Sequence, residues 1–254
     1  LVGDSFAHGE CVNRPNDIAS VLRTLSKEGV LNLGYAGNGP LIEYATLVEY
    51  ISPNVKNILW LYYEANDLVN LEAELKSTFL VKYLNDIKFK QNLQSQQNLV
   101  DDLSKSLIVE AMKKENDSSI TIVNKSIFNF FFKYLEYFKL NNLRYLFKSY
   151  SLLKHVEEKN LKNENHFFRI IKLANDLALR NDSKLYFVYL PSIQRYMNNK
   201  NFNQKSYNKM KIRFNDLDIP FLDMHQEVFK KIDNPLELFP FTAFGDFGRH
   251  YTVE

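Results

Sequence analysis

The sequence predicts an α/β fold with a mainly parallel sheet wound in βαβ units, and three observations lead there. Short apolar runs at 1–2, 30–33 and 57–63 each break into a polar or Gly-rich loop, and each loop is followed by a helical pattern. The run Asn57-Ile58-Leu59-Trp60-Leu61-Tyr62-Tyr63 is continuously apolar, as in strands of a parallel sheet covered on both faces. After a long strand-poor interval the same rhythm returns with Lys184–Leu190 and with residues 219–222.

Taken in order, Leu1-Val2 runs as a strand end into the turn Gly3-Asp4-Ser5. Arg14-Pro15-Asn16-Asp17 opens a helix with Asn16 or Asp17 as its cap. Ile18, Val21, Leu22 and Leu25 give that helix an apolar face, and Gly29 ends it. A second short strand at 30–33 leads into the loop Gly34-Tyr35-Ala36-Gly37-Asn38-Gly39-Pro40. Pro40 suits the first turn of the next helix, which runs to about Ile51 and stops before Pro53. The third strand ends in Glu64-Ala65-Asn66-Asp67, with Asp67 expected to cap the helix that follows.

From 68 to 165 the rhythm breaks, with 120–123 the one strand-like run, and Leu, Lys, Asn and Phe recur at helical spacing. This stretch reads as a helical insertion within a single domain covering 1–254. Its aromatic segment 127–147 reads first as a helix packing its rings on the domain, with Lys recurring as a solvated face, and alternatively as an amphipathic face for a membrane surface or acyl chains. A helix at 166–180, the strand Lys184–Leu190, a polar loop at 198–204, a helix through Phe214 and a strand at 219–222 complete the pattern.

Composition narrows the function. A formal charge of +2 on 254 residues does not suit a protein that binds nucleic acid electrostatically. The single cysteine, Cys11, excludes an intrachain disulfide and a multi-Cys metal centre. His155, His166 and His225 show no ligand spacing with each other or with carboxylates, so a metal site is not expected. No run reaches membrane-spanning length without charges. The chain opens without Met inside a strand and stops just after the His250 segment, so it is expected to be a fragment truncated at both ends. A leader or membrane anchor would then lie upstream.

Four features fall on one edge of the proposed sheet. Ser5 follows the first strand, Gly37 lies in the loop after the second, Asn66 follows the third, and His250 arrives last. Open α/β sheets bind ligands at the carboxyl ends of their strands. A serine there can act as a nucleophile if a base takes its proton and donors meet the oxyanion. The backbone N–H groups of Ser5 and Gly37 are candidate donors, with the Asn66 amide as a third. His8, Asn38 and Arg195 fall on the same edge and are candidates to line the pocket.

This set resembles the SGNH (GDSL-type) hydrolase family. The first block matches Gly3-Asp4-Ser5-Phe6, the second the Asn32–Gly39 loop, the third Ala65-Asn66-Asp67 and the last the His250 segment, in the family's order. The resemblance implies a three-layer α/β/α flavodoxin-like sandwich and a cofactor-free serine esterase acting on O-acyl groups of carbohydrates or lipids. It implies Ser5 as nucleophile, His250 as base and then acid, and Ser5, Gly37 and Asn66 as the oxyanion hole. Two positions depart from the pattern. Ala65 replaces the usual Gly, and Phe247 stands where the family commonly has the triad Asp. Asp246 is the first candidate acid; a backbone carbonyl, Asp223 or Glu237 are the alternatives. The same site would serve an O-acyltransferase, and a non-catalytic glycan- or partner-binding module could share the fold. Similar proteins are often exported or membrane-anchored. Oligomeric state is not readable from the sequence.

Overall fold

Strand β1, Asn57–Tyr63, forms over an uncharged run dominated by large apolar and aromatic side chains. It pairs in parallel with β2, Lys184–Leu190, which pairs in parallel with β3, Phe221–Asp223, giving the order β1-β2-β3. The computed structural model describes residues 1–116, 153–197, 204–239 and 250–253. The strand expected at 120–123, the aromatic segment 127–147, most of the 198–204 loop and Asp246 lie outside them.

Two extended segments accompany the sheet. Val2 N–H donates to Leu59 O and Leu61 N–H to Val2 O, both at 2.9 Å, forming a parallel bridge to Trp60. Leu33 N–H in turn donates to Leu1 O at 2.9 Å and Tyr35 N–H to Gly3 O at 3.3 Å. The expected strand at 30–33 is thus present as extended chain lying along residues 1–3, without a regular ladder. The result is an α/β fold in which helix far outweighs strand.

Alternation along β1 sends side chains to two separate cores, as a pleated strand must. Ile58, Trp60 and Tyr62 join Leu185, Phe187 and Tyr189 of β2 in the larger one. Helix α3 (Pro40–Tyr50) adds Leu41, Tyr44 and Leu47, and α7 (Leu153–Arg180) adds Phe167, Ile170, Ile171 and Ala174. Helix α8 (Gln204–Asp216) adds Phe214, whose ring lies 4.0 Å from that of Phe187. Leu61, Tyr63 and Leu190 face the other way, onto Phe6 and Ala7 of α1 (Ser5–His8). Partly buried Ile18 of α2 (Ile18–Ser26) and Met224 of α9 (Met224–Glu227) pack there too.

The chain separates into two compact units, Leu1–Gln91 with Asn163–Glu254, and Asn92–Lys162. Helices α4 (Asp67–Glu74) and α5 (Val81–Asn85), within the stretch read as an insertion, belong to the first. The second contains α6 (Gln97–Asn116) and the opening of α7. Among the described residues no helix is long and apolar enough to cross a membrane.

Several local expectations need correction. Asp17 caps α2, accepting from Ser20 N–H at 3.0 Å, but Lys27, at φ 57°, closes the helix before Gly29 is reached. Of its expected apolar face, Ile18 packs inward beside Ala19, but Val21 and Leu25 are 41% and 76% exposed. Asp67 does not cap α4. Asn66 holds the cap position, and Asp67 turns back to accept the Tyr63 N–H at 2.9 Å.

Candidate active site

The serine is set by a turn that only glycine can make. Gly3 adopts φ 154°, and a Cβ there would lie 2.9 Å from Ala7 Cβ and 3.0 Å from Leu61 O. Asp4 then caps α1 by accepting the Phe6 N–H at 3.0 Å, and Gly9, left-handed at φ 86°, closes that single turn. Ser5 stands at the first helical position, 8% exposed. A first-turn N–H has no intrahelical acceptor, so that of Ser5 is free to meet an anion.

The loop at 34–39 is clamped onto this turn. Asn32 Nδ2 donates to Ala7 O at 2.6 Å while its Oδ1 accepts the Gly34 N–H at 2.9 Å. A Cβ on Gly34 would lie 2.5 Å from Ala7 Cβ, so glycine here permits backbone contact with α1. Tyr35 to Asn38 form a turn closed by Asn38 N–H donating to Tyr35 O at 3.1 Å, with Gly37 third at φ 83°. That is the glycine position of a type II turn. A Cβ on Gly37 would meet nothing within 4 Å, so glycine is demanded there by the backbone and not by crowding. The sequence signal for Asn32 is the Asn-x-Gly spacing of an Asx turn, which residue type alone does not single out.

His250 reaches Ser5 across almost the whole chain. Its Nε2 lies 2.9 Å from Ser5 Oγ, and its ring stacks on Phe6 with centroids 4.8 Å apart. The neighbouring residue anchors it. Tyr251 packs against Phe6, Phe229 and Phe239 at 4.7, 5.1 and 5.2 Å, and its hydroxyl donates to Pro191 O at 2.5 Å. Thr252 N–H adds a bond to Leu238 O at 2.9 Å. Burial holds the His250 pKa below its ordinary value, against the opposing pull of Glu10 and Asp4. The imidazole is therefore neutral at pH 7, the form in which Nε2 can accept the serine proton.

For Nε2 to accept, the ring proton must sit on Nδ1. That atom is buried with no hydrogen-bond partner among the described residues. Asp223 accepts from the Tyr207 hydroxyl, from Lys211 at 3.3 Å and from Gln226 N–H at 3.3 Å. Glu237 is exposed and accepts from Asn234 at 3.0 Å. Neither orients His250.

The Asn66 amide donates through Nδ2 to Asp4 Oδ2 at 3.2 Å, and its Oδ1 is buried without a partner. One of its two N–H groups is thus spent on bracing the serine turn, leaving the second for a ligand. Burial raises the Asp4 pKa, against the lowering effect of the Phe6 and Asn66 bonds. Asn38 is buried, and its carbonyl accepts from Asn70 at 3.2 Å. Arg195 is engaged by its neighbours. Its side chain is 4% exposed, pairs with Glu64 at 2.6 and 3.2 Å, and lies 4.4 Å over the Tyr207 ring. His8 is exposed and stacks on Tyr35 with centroids 5.4 Å apart.

Behind these loops sit four buried carboxyl groups, Asp4, Glu43, Asp67 and Glu74. Glu74 is tied down, accepting the N–H groups of Gly39 at 2.7 Å and Leu41 at 2.9 Å. Among the described residues, Glu43, 1% exposed, accepts no hydrogen bond on either oxygen, and Asp67 Oδ1 has no partner either. Burial, reinforced by Asp67, Asp4 and Glu74, pushes the Glu43 carboxyl far above the usual range. Trp60 Nε1 lies near enough to oppose this slightly but outside hydrogen-bonding geometry. Among the described residues no group of acids, His and Cys has the geometry of a metal site.

No family model, curated protein or solved structure matches this chain.

Proposed function

We propose that this chain is a serine esterase of the SGNH type, hydrolysing O-acyl esters of carbohydrates or lipids. The observation that carries the reading is the 2.9 Å approach of His250 Nε2 to Ser5 Oγ across 245 residues of sequence. Ser5 Oγ attacks the ester carbonyl as His250 takes its proton. The oxyanion is met by the Ser5 and Gly37 N–H groups and the remaining Asn66 N–H. His250 protonates the departing alcohol, then activates the water that releases the acid and regenerates Ser5. The corresponding fold is a flavodoxin-like three-layer sandwich. Support comes from the extended segments 1–3 and 31–35, which continue the hydrogen bonding outward from β1 on the side away from β2 and would extend the sheet to the order 2-1-3-4-5 of that architecture.

Among the described residues His250 Nδ1 has no hydrogen-bond partner, which leaves room for a second reading, a binding module with the same pocket and no turnover. A fluorophosphonate probe and p-nitrophenyl acetate separate the two. The esterase is labelled at Ser5 and releases p-nitrophenol, and Ser5→Ala abolishes both. A folded protein that is neither labelled nor active is the binding module. Labelled protein that transfers acetyl to a sugar acceptor in preference to water is an O-acyltransferase.

A further inference from the structure

The loop bonded to the serine turn carries a largely exposed aromatic ring. Tyr35 is 65% exposed, although it opens the turn that carries Gly37. Its backbone is fixed by Tyr35 N–H donating to Gly3 O at 3.3 Å, two residues before the serine. One face of the ring is covered by His8, at 5.4 Å between centroids and 29° between planes. His8 in turn is three residues after Ser5 on α1, and residues so spaced lie on the same side of a helix. The ring is therefore held by both loops of the site and backed by an imidazole, and Tyr35 remains largely exposed to solvent. The space beyond Gly37 is open as well.

We propose that Tyr35, backed by His8, is a substrate platform that receives the sugar ring of an O-acylated carbohydrate and directs its acyl group to Ser5. This rests on the esterase reading given above. An aromatic face is electron-rich, and the C–H face of a pyranose is apolar and slightly positive, so the two stack. Hydroxyls at the sugar's rim find the Tyr35 hydroxyl, the His8 ring nitrogens and water. A long acyl chain asks for something else, a concave apolar groove that encloses it. A cavity of about 650 Å³ does exist in the first unit, but it runs along β3 between Lys184, Lys211, Asp218 and Glu227. It is polar-rimmed and borders neither Ser5 nor His250.

Two measurements test the platform. In the first, kcat/KM is compared for O-acetylated xylo-oligosaccharide and p-nitrophenyl acetate. Tyr35→Ala lowers the preference for the oligosaccharide about three- to tenfold, the scale of one lost ring stack, and Tyr35→Phe retains it. An unchanged preference overturns the proposal, as does a Tyr35→Ala loss confined to p-nitrophenyl palmitate, which would make the ring a lipid contact. The second needs no turnover. Ser5→Ala protein is saturated in an NMR saturation-transfer experiment with the same oligosaccharide. Signal on the sugar-ring protons that disappears in Ser5→Ala/Tyr35→Ala supports the platform; signal that persists overturns it. Failure of the esterase reading shows separately, as absent fluorophosphonate labelling.

Discussion

At the scale of the residue, the proposed role of His250 as base rests on an environment that keeps it uncharged. Because burial holds its pKa below 6.5, the active form persists to lower pH than for a free imidazole. Esterase kcat/KM should be level at neutral pH and fall as pH drops through a midpoint below 6.5. A pH–rate profile with a midpoint above that value would contradict the assignment. His250→Ala should cost about 10²- to 10⁴-fold in kcat, the usual share of a general base. The residue beside it tests how the base is held. Tyr251→Phe removes one hydrogen bond, worth about 1 kcal/mol, and should leave labelling near normal. Tyr251→Ala empties the space between Phe6, Phe229 and Phe239, and should cost about 3–5 kcal/mol by denaturant titration. Legibility at this scale was uneven. Ser5 and His250 stood out by residue type and position, and the structure brings them together. Arg195 looked equally well placed on the strand edge, yet Glu64, Tyr189 and Tyr207 surround it in space while Glu64 lies 131 residues away in sequence. No local pattern announces such a partner.

At the scale of the element, the two glycines of the second loop do different work, and substitution separates them. Gly37→Ala meets no atom but must hold φ 83°, a left-handed strain of about 1–2 kcal/mol. Gly34→Ala meets Ala7 Cβ at 2.5 Å and the Ala7 and His8 backbone at 2.7 Å, so the loop must leave α1. Thermal unfolding should show a larger loss for Gly34→Ala, together with slower fluorophosphonate labelling of Ser5. The regular elements were legible where the chain is continuously apolar. The sequence spans expected for β1 and β2 coincide with the observed strands. Residues 30–33 were harder, because their N–H groups reach residues 1–3 too sparsely to form a ladder. The face of α2 was misread for a related reason. Helical periodicity identifies a stripe, but which neighbour covers it depends on contacts distant in sequence, and Val21 and Leu25 found none large enough.

At the scale of the whole molecule, acids buried under the site set how stability responds to pH. Glu43 and Asp67 have pKa values raised by burial and by their mutual repulsion with Asp4 and Glu74. Raised carboxyl values stabilise the fold where the group is protonated in both states, and that stability is lost as pH climbs from the unfolded value towards the folded one. Glu43→Gln, neutral at every pH, should therefore unfold at a higher temperature than the parent in alkaline buffer and lose that advantage near pH 4.5. Equal melting temperatures across the range would show that Glu43 titrates normally. His225 acts in the opposite sense. Burial, then Arg195, depress its pKa to about 4, so its contribution is complete above about 6.5 and disappears as pH falls towards about 4.

Trp60 is the sole tryptophan of the chain and sits at 0% exposure in the middle of β1, beside Glu43. The molecule thus contains its own optical probe, with no label to attach. Selective indole excitation reads the packing of the central strand. A shift in that emission as alkali is added would follow, in real time, a carboxyl group losing its proton in the dark of the interior.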